Sequence, residues 1–167
     1  MYNIRNKISI NISRLIYLTL AFPYLNYCNV IWSSASPSLF QSIITTQKRI
    51  IRLILRKRRD TRSSPLFSRL KLLKFPDICK LNSIMFVFKS LHKIISSPIS
   101  FEFRFQGPYN LRHQEQLNVP FVRSNQSRRF IRVSGAQNWN NLPAPIRMSR
   151  TVVTLKKNLK LLYINEY

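Results

Sequence analysis

Apolar residues along this chain recur at helical spacing more often than they alternate. The clearest case is residues 40–59, FQSIITTQKRIIRLILRKRR. At 3.6 residues per turn, Phe40, Ile43, Ile44, Ile50, Ile51, Ile54 and Leu55 gather on one stripe, and Lys48, Arg49, Arg52, Arg56 and Arg59 gather on another. The pattern predicts an amphipathic helix with its back in a core and a row of cations in front. The helix should end near Arg58 or Arg59, because Arg58 rotates onto the apolar face. Gln47 falls on the apolar stripe, where an amide must have its hydrogen bonds satisfied.

Upstream, Leu15 to Trp32 carries no charge, but Pro23, Asn26 and Asn29 interrupt it and Thr19 dilutes it. This predicts a buried helix that breaks near Pro23 and restarts. Ser33 to Ser38 reads as a turn, with Ser36 or Ser38 as N-cap. Ser64-Pro65 should open a short helix through Leu73. Pro76-Asp77 should open another, with Asp77 at the positive end of the helix dipole and Ile78, Leu81, Ile84, Met85, Phe88, Leu91 and Ile95 on a broad apolar face.

Past residue 100 the texture changes. Phe101 to Pro108 alternates as a weak strand. Leu117 to Arg123 and Arg129 to Ser134 read as two short strands around a polar turn at Ser124 to Ser127, a hairpin that would carry Arg123, Arg128, Arg129 and Arg132. Trp139 is expected as a core anchor. A last helix should place Val152, Leu155, Leu159 and Leu162 inward beside Lys156, Lys157 and Lys160. The expected fold is mainly α: a small helical bundle over residues 1–62, then an α+β region over 63–167 with a short β-hairpin at about 117–134 and a terminal helix at about 151–164.

Charge changes the picture most. The 167 residues hold 28 Lys and Arg against 5 Asp and Glu, a net charge of +23, while 45% hydrophobic residues suffice for a core. Such a chain attracts polyanions, meaning nucleic acid or an anionic membrane surface. The acids, Asp60, Asp77, Glu102, Glu115 and Glu166, are scattered, whereas two-metal phosphoryl transfer needs carboxylates converging on the ions. Two glycines allow no glycine-rich phosphate cradle. Cys28 and Cys79 are far apart, and His92 and His113 lie in no metal-ligand spacing with them. Two buried thiols are therefore expected, and no catalytic site, metal, cofactor or small-molecule substrate. The candidate nucleic-acid contacts are Lys48, Arg49, Arg52, Arg56 and Arg59 on the helix, Arg112 beside Tyr109, and Arg128, Arg129 and Arg132. Tyr109, Arg112 and Phe130 could stack on bases, although strand alternation turns Phe130 toward a core.

Several short motifs follow one another in a fixed order. Pro23-Tyr24-Leu25-Asn26-Tyr27-Cys28 with Trp32 precede Gln47-Lys48-Arg49 and Arg52. Ser64-Pro65-Leu66-Phe67, Asp77-Ile78 and Tyr109-Asn110-Leu111-Arg112 come next, then Gly135, Trp139-Asn140, Leu142-Pro143 and Ile146-Arg147. From about Leu15 onward the chain resembles the carboxy-terminal part of a LINE-type (non-LTR) retrotransposon reverse transcriptase, of the jockey-like kind. The resemblance implies that the catalytic palm of an RNA-directed DNA polymerase, with its Asp-Asp motif, precedes this segment. Residues from about Leu15 to Arg59 then correspond to the thumb, and Gln47, Lys48, Arg49 and Arg52 match positions that grip an RNA–DNA or RNA duplex. The remainder corresponds to the post-thumb region. The implied function is a non-catalytic, nucleic-acid-binding fragment with an intracellular, nuclear or cytoplasmic, place of action. Two other readings of the residues stand beside it: a membrane-anchored basic protein with a span near 15–32, and a stand-alone structural RNA-binding protein.

Overall fold

The structure is a computed structural model that describes residues 7–34, 36–104 and 116–167. The described residues are mainly helical. They divide into two compact units, one from Met1–Asn29, Ser36–Ile78 and Leu161–Tyr167, the other from Val30–Ala35 and Cys79–Lys160.

The first unit begins with α1 (Ile10–Ile16), capped by Ser9, whose Oγ accepts the Ile12 N–H. A π-helical stretch, Tyr17–Ala21, leads directly into α2 (Phe22–Asn26). The cause is Pro23, which lacks an N–H and whose ring would strike the carbonyl one α-turn back. The wider π-turn takes up the misfit, with the Phe22 N–H reaching the Tyr17 carbonyl and the Thr19 hydroxyl donating to the Leu15 carbonyl. The uncharged stretch is therefore bulged and not broken at Pro23: helix continues to Asn26, turns at Tyr27 and Cys28 and restarts at Asn29, and it is not a buried helix. Leu15, Leu20, Tyr24 and Tyr27 are all exposed, while Tyr17 and Asn29 turn inward. After a turn at Cys28, α3 (Asn29–Trp32) adds a single helical turn. Among the described residues no helix is long and apolar enough to cross a membrane, so a span near 15–32 finds no support.

The amphipathic helix, α4, runs Pro37–Ile54 with Ser36 at its N-cap. It stops short of Arg58. Arg56 turns into the left-handed region at φ 54°, the Arg56 N–H bonds the Leu53 carbonyl, and the Lys57 N–H bonds the Arg52 carbonyl at 2.9 Å. These are the two hydrogen bonds of a Schellman closure. The same closure ends α5 (Ser64–Leu70) at Lys71 and α6 (Phe75–Leu91) at Lys93, each at φ 52°. Glycine usually fills this position. With two glycines in the chain, Arg and Lys fill it, and each places a cation at the negative end of a helix dipole. Both α5 and α6 start close to where their prolines put them, with Ser63 rather than Ser64 as the cap of α5.

The core of this unit joins Tyr17 to Ile51 and Ile54 of α4, to its C-cap Leu55, and to Leu66, Phe67, Leu70 and Leu72. Each such side chain contributes roughly 1.5–3 kcal/mol by leaving water. Gln47 sits among them, 2% exposed. Its Nε2 donates to Tyr17 Oη and to the Leu73 carbonyl, both at 2.9 Å, and its Oε1 accepts the Phe75 N–H at 2.8 Å. One amide thus fastens α4 to the π-turn and to the start of α6. Nearby, Tyr167 Oη donates to Asp77 Oδ2 at 2.6 Å and accepts the Lys74 N–H, and Lys74 Nζ lies 3.8 Å over its ring. Burial pushes the Tyr167 phenol well above its ordinary pKa, and the bond to Asp77 pushes it further the same way.

The second unit corrects the expected hairpin. Residues 117–134 form no paired strands. Leu117 makes one isolated bridge, to Phe103, Ser127–Arg129 is a 3₁₀ turn, and α7 runs Ile131–Asn140. The stretch Arg129 to Ser134 looked like alternation in a short window. Over ten residues the deciding period is Val133, Ala136 and Trp139, all buried on one helical face. Phe130 precedes α7 as its N-cap residue and is exposed, not core. Gly135 lies inside the helix because a Cβ there would meet Val87 Cγ2 of α6 at 3.0 Å. Asn140 supplies what a second strand would have: its Oδ1 accepts the Leu117 N–H at 2.7 Å and its Nδ2 donates to the Leu117 carbonyl at 2.9 Å. Trp139 is buried against Phe88, as a core anchor. A short α8 (Ala144–Arg147) leads to α9 (Val152–Asn165), which enters through reciprocal bonds between Thr151 and Thr154 and buries Leu155 and Leu159.

Candidate nucleic-acid interface

The reversal at Arg56 turns a row of cations into a cleft. Had α4 continued, Lys48, Arg49, Arg52, Arg56 and Arg59 would have lain along one helical face and Arg58 on the apolar one. Instead the chain folds back, and Arg52 holds it there: its Nε donates to the Thr61 carbonyl at 2.9 Å. The result is a concavity of about 570 Å³, with Thr45, Lys48, Arg49, Arg52 and Leu53 on the helix side and Arg56, Lys57, Arg58 and Arg59 on the other. No carboxylate lines it.

Its cations fall into two kinds. Lys48 and Arg52 are half-buried, their stems packed along the helix, whereas Arg49 and Arg56 to Arg59 are exposed. Arg52 and Arg56 each spend one donor on the fold, Arg56 through Nη2 to the Ile8 carbonyl at 2.8 Å. A guanidinium carries five N–H donors, so both keep donors for a ligand. Guanidinium groups pair with phosphate in a bidentate fork, at roughly twice the strength of neutral hydrogen bonds. Arg52 and Arg56 to Arg59 also stand at the C-terminal end of α4, where the helix dipole favours positive charge and offsets part of their mutual repulsion.

All five predicted helix residues, Lys48, Arg49, Arg52, Arg56 and Arg59, therefore meet in one place. Lys57 and Arg58 join them, although sequence reading did not select them. The signal lay in the RKRR run, which places four cations in succession wherever the helix ends. The other predicted residues are arranged differently. Arg128 is exposed and Arg129 half-buried in the 3₁₀ turn, and Arg132 is exposed in the first turn of α7, so all three belong to the second unit. Arg112, with Tyr109 and His113, lies outside the described residues. Cys28 is exposed, against expectation, and Cys79 is buried. Among the described residues no group of three or more His, Cys, Asp or Glu could hold a metal ion.

In comparison with known proteins, no family model, no curated protein and no solved structure matches the chain.

Proposed function

We propose that this chain is a nucleic-acid-gripping module, the carboxy-terminal thumb and post-thumb part of a LINE-type reverse transcriptase, which holds the template-primer duplex for a palm domain and performs no chemistry of its own. The carrying observation is the cleft at the end of α4, where seven cationic side chains converge without a carboxylate among them. The reverse-transcriptase assignment itself rests on the order of motifs from Pro23 to Arg147. Binding is electrostatic. Arg and Lys neutralise phosphates and release counterions, so affinity falls steeply with salt and reads no base sequence.

The test is binding of a labelled RNA–DNA duplex with 5′-hydroxyl ends across a salt series. The plot of log affinity against log salt should be linear, and Arg49→Ala/Arg58→Ala/Arg59→Ala should flatten it by about 0.9 for every phosphate that is no longer neutralised. Lys156→Ala/Lys157→Ala removes two exposed charges of α9 and should leave the slope nearly unchanged. A flat salt response, or equal effects of the two variants, would overturn the reading. An in-frame or decayed Asp-Asp palm in the DNA upstream of Met1 would support the family assignment, and its absence would remove it.

A further inference from the structure

The cleft is small for the charge that lines it. Seven cations, on α4 and on the returned segment Arg56–Arg59, border a volume of about 570 Å³ from two sides. The volume lies within the range of small-ligand sites, about 300–1,000 Å³.

We propose that the cleft is a pocket for an oligophosphate: phosphates joined through single bridging oxygens, as in the 5′-triphosphate end of an RNA strand or a free polyphosphate chain. In a nucleic-acid backbone a sugar separates neighbouring phosphates, so a narrow pocket holds few of them. An anhydride-linked chain brings three phosphates and about four negative charges into the same space. Opposed walls suit that ligand. Arg49 and Arg52 engage it from the helix, and Arg58 and Arg59 from the returned segment. The Arg52–Thr61 hydrogen bond sets the distance between them. Leu53 is the apolar member of the lining, and the Thr45 hydroxyl is already donated to the Gln41 carbonyl at 2.9 Å. The same chemistry explains why so many like charges can be gathered: the occupied pocket relieves a repulsion that the empty one bears. This inference concerns the same cleft and rests on its being a phosphate site, but not on the duplex being its ligand.

The experiment compares, at fixed ionic strength, a single-stranded RNA bearing a 5′-triphosphate with the same RNA bearing a 5′-hydroxyl, using the full chain. The triphosphate form should bind at least about tenfold tighter, as expected for even one added charge-assisted hydrogen bond. Arg58→Ala/Arg59→Ala should abolish that preference, and Lys156→Ala/Lys157→Ala should keep it. The second pair shows that the effect is local and not a response to net charge. Free tripolyphosphate should raise the melting temperature more than orthophosphate at equal total charge. If it competes as well as the triphosphate RNA, the phosphate chain alone is recognised; if it competes less well, the nucleotide contributes. Equal affinity for the two RNA ends, or equal melting shifts with the two phosphates, would overturn the proposal. A triphosphate preference without salt-dependent binding of the 5′-hydroxyl duplex would overturn the duplex reading and leave the pocket standing.

Discussion

Two arginine-rich stretches look alike in sequence and fold to opposite ends of helices. Arg56 to Arg59 follows α4, while Arg128 and Arg129 precede α7, with Arg132 in its first turn. At the end of α4 the dipole is negative and welcomes cations; at the start of α7 it is positive and opposes them. The first stretch also follows a left-handed closure that folds it back, so its cations share a cleft with those of the helix before it. The second runs through a 3₁₀ turn into a helix that has no acidic residue in its first turn. The difference teaches that the count of cations does not make a site. What gathers them is the way the preceding element terminates.

That contrast can be broken most severely by removing the platform under the cleft. Gln47→Ala would leave the Leu73 carbonyl and the Phe75 N–H without their partner in a dry core and open a void beside Tyr17. The expected loss is about 3 kcal/mol, and denaturant titration measures it. Gln47→Glu, which keeps the shape but introduces a buried charge, should be no better tolerated.

A smaller effect should come from the closures themselves. At Lys71, exposed and left-handed, glycine relieves the conformational cost, so Lys71→Gly should stabilise the chain by about 1 kcal/mol, seen as a raised melting temperature. Were it to destabilise instead, the lysine charge at the end of α5 would outweigh the backbone strain.

The smallest effect sharpens the comparison directly. Arg132→Glu exchanges an opposed charge for a favoured one in the first turn of α7 and should stabilise by about 0.5 kcal/mol at low salt, less as salt is added. Equal stabilisation at high salt would show that the dipole is not responsible.

Much of the first unit was legible because long helices repeat their message. The stripe of α4, the helix starts near Pro65 and Pro76, and the satisfied amide of Gln47 all follow from spacing, from proline's place in a first turn and from the cost of burying an unpaired amide. The end of α4 was not legible. The expectation that it would run to Arg58 or Arg59 used only the rotation of the apolar stripe. A left-handed closure is normally announced by glycine, and here arginine fills it. The hairpin failed for a different reason. Six residues from Arg129 to Ser134 fit a strand, and only the longer window reaching Trp139 shows the helical period. The exposure of Leu15, Leu20, Tyr24 and Tyr27 was hidden too, since an uncharged stretch does not reveal how much of it finds a partner. Of the site, the five helix cations were named from sequence. Their enclosure by Lys57, Arg58 and the Arg52–Thr61 bond depends on a chain reversal that sequence pattern does not display.

The π-turn at Tyr17–Ala21 bears on how this chain tolerates change in length. A π-turn is an α-helix holding one residue more than its ladder requires. Deleting one residue there would restore regular hydrogen bonding before Pro23, yet it would turn everything on one side by about 100° relative to the other. Tyr17 would then swing away from Gln47, or α2 would present a different face. The surplus residue thus acts as a phase setting. Substitutions at the exposed Thr19 and Leu20 should be absorbed easily, while a single deletion or insertion within Tyr17–Ala21 should be as damaging as a core mutation.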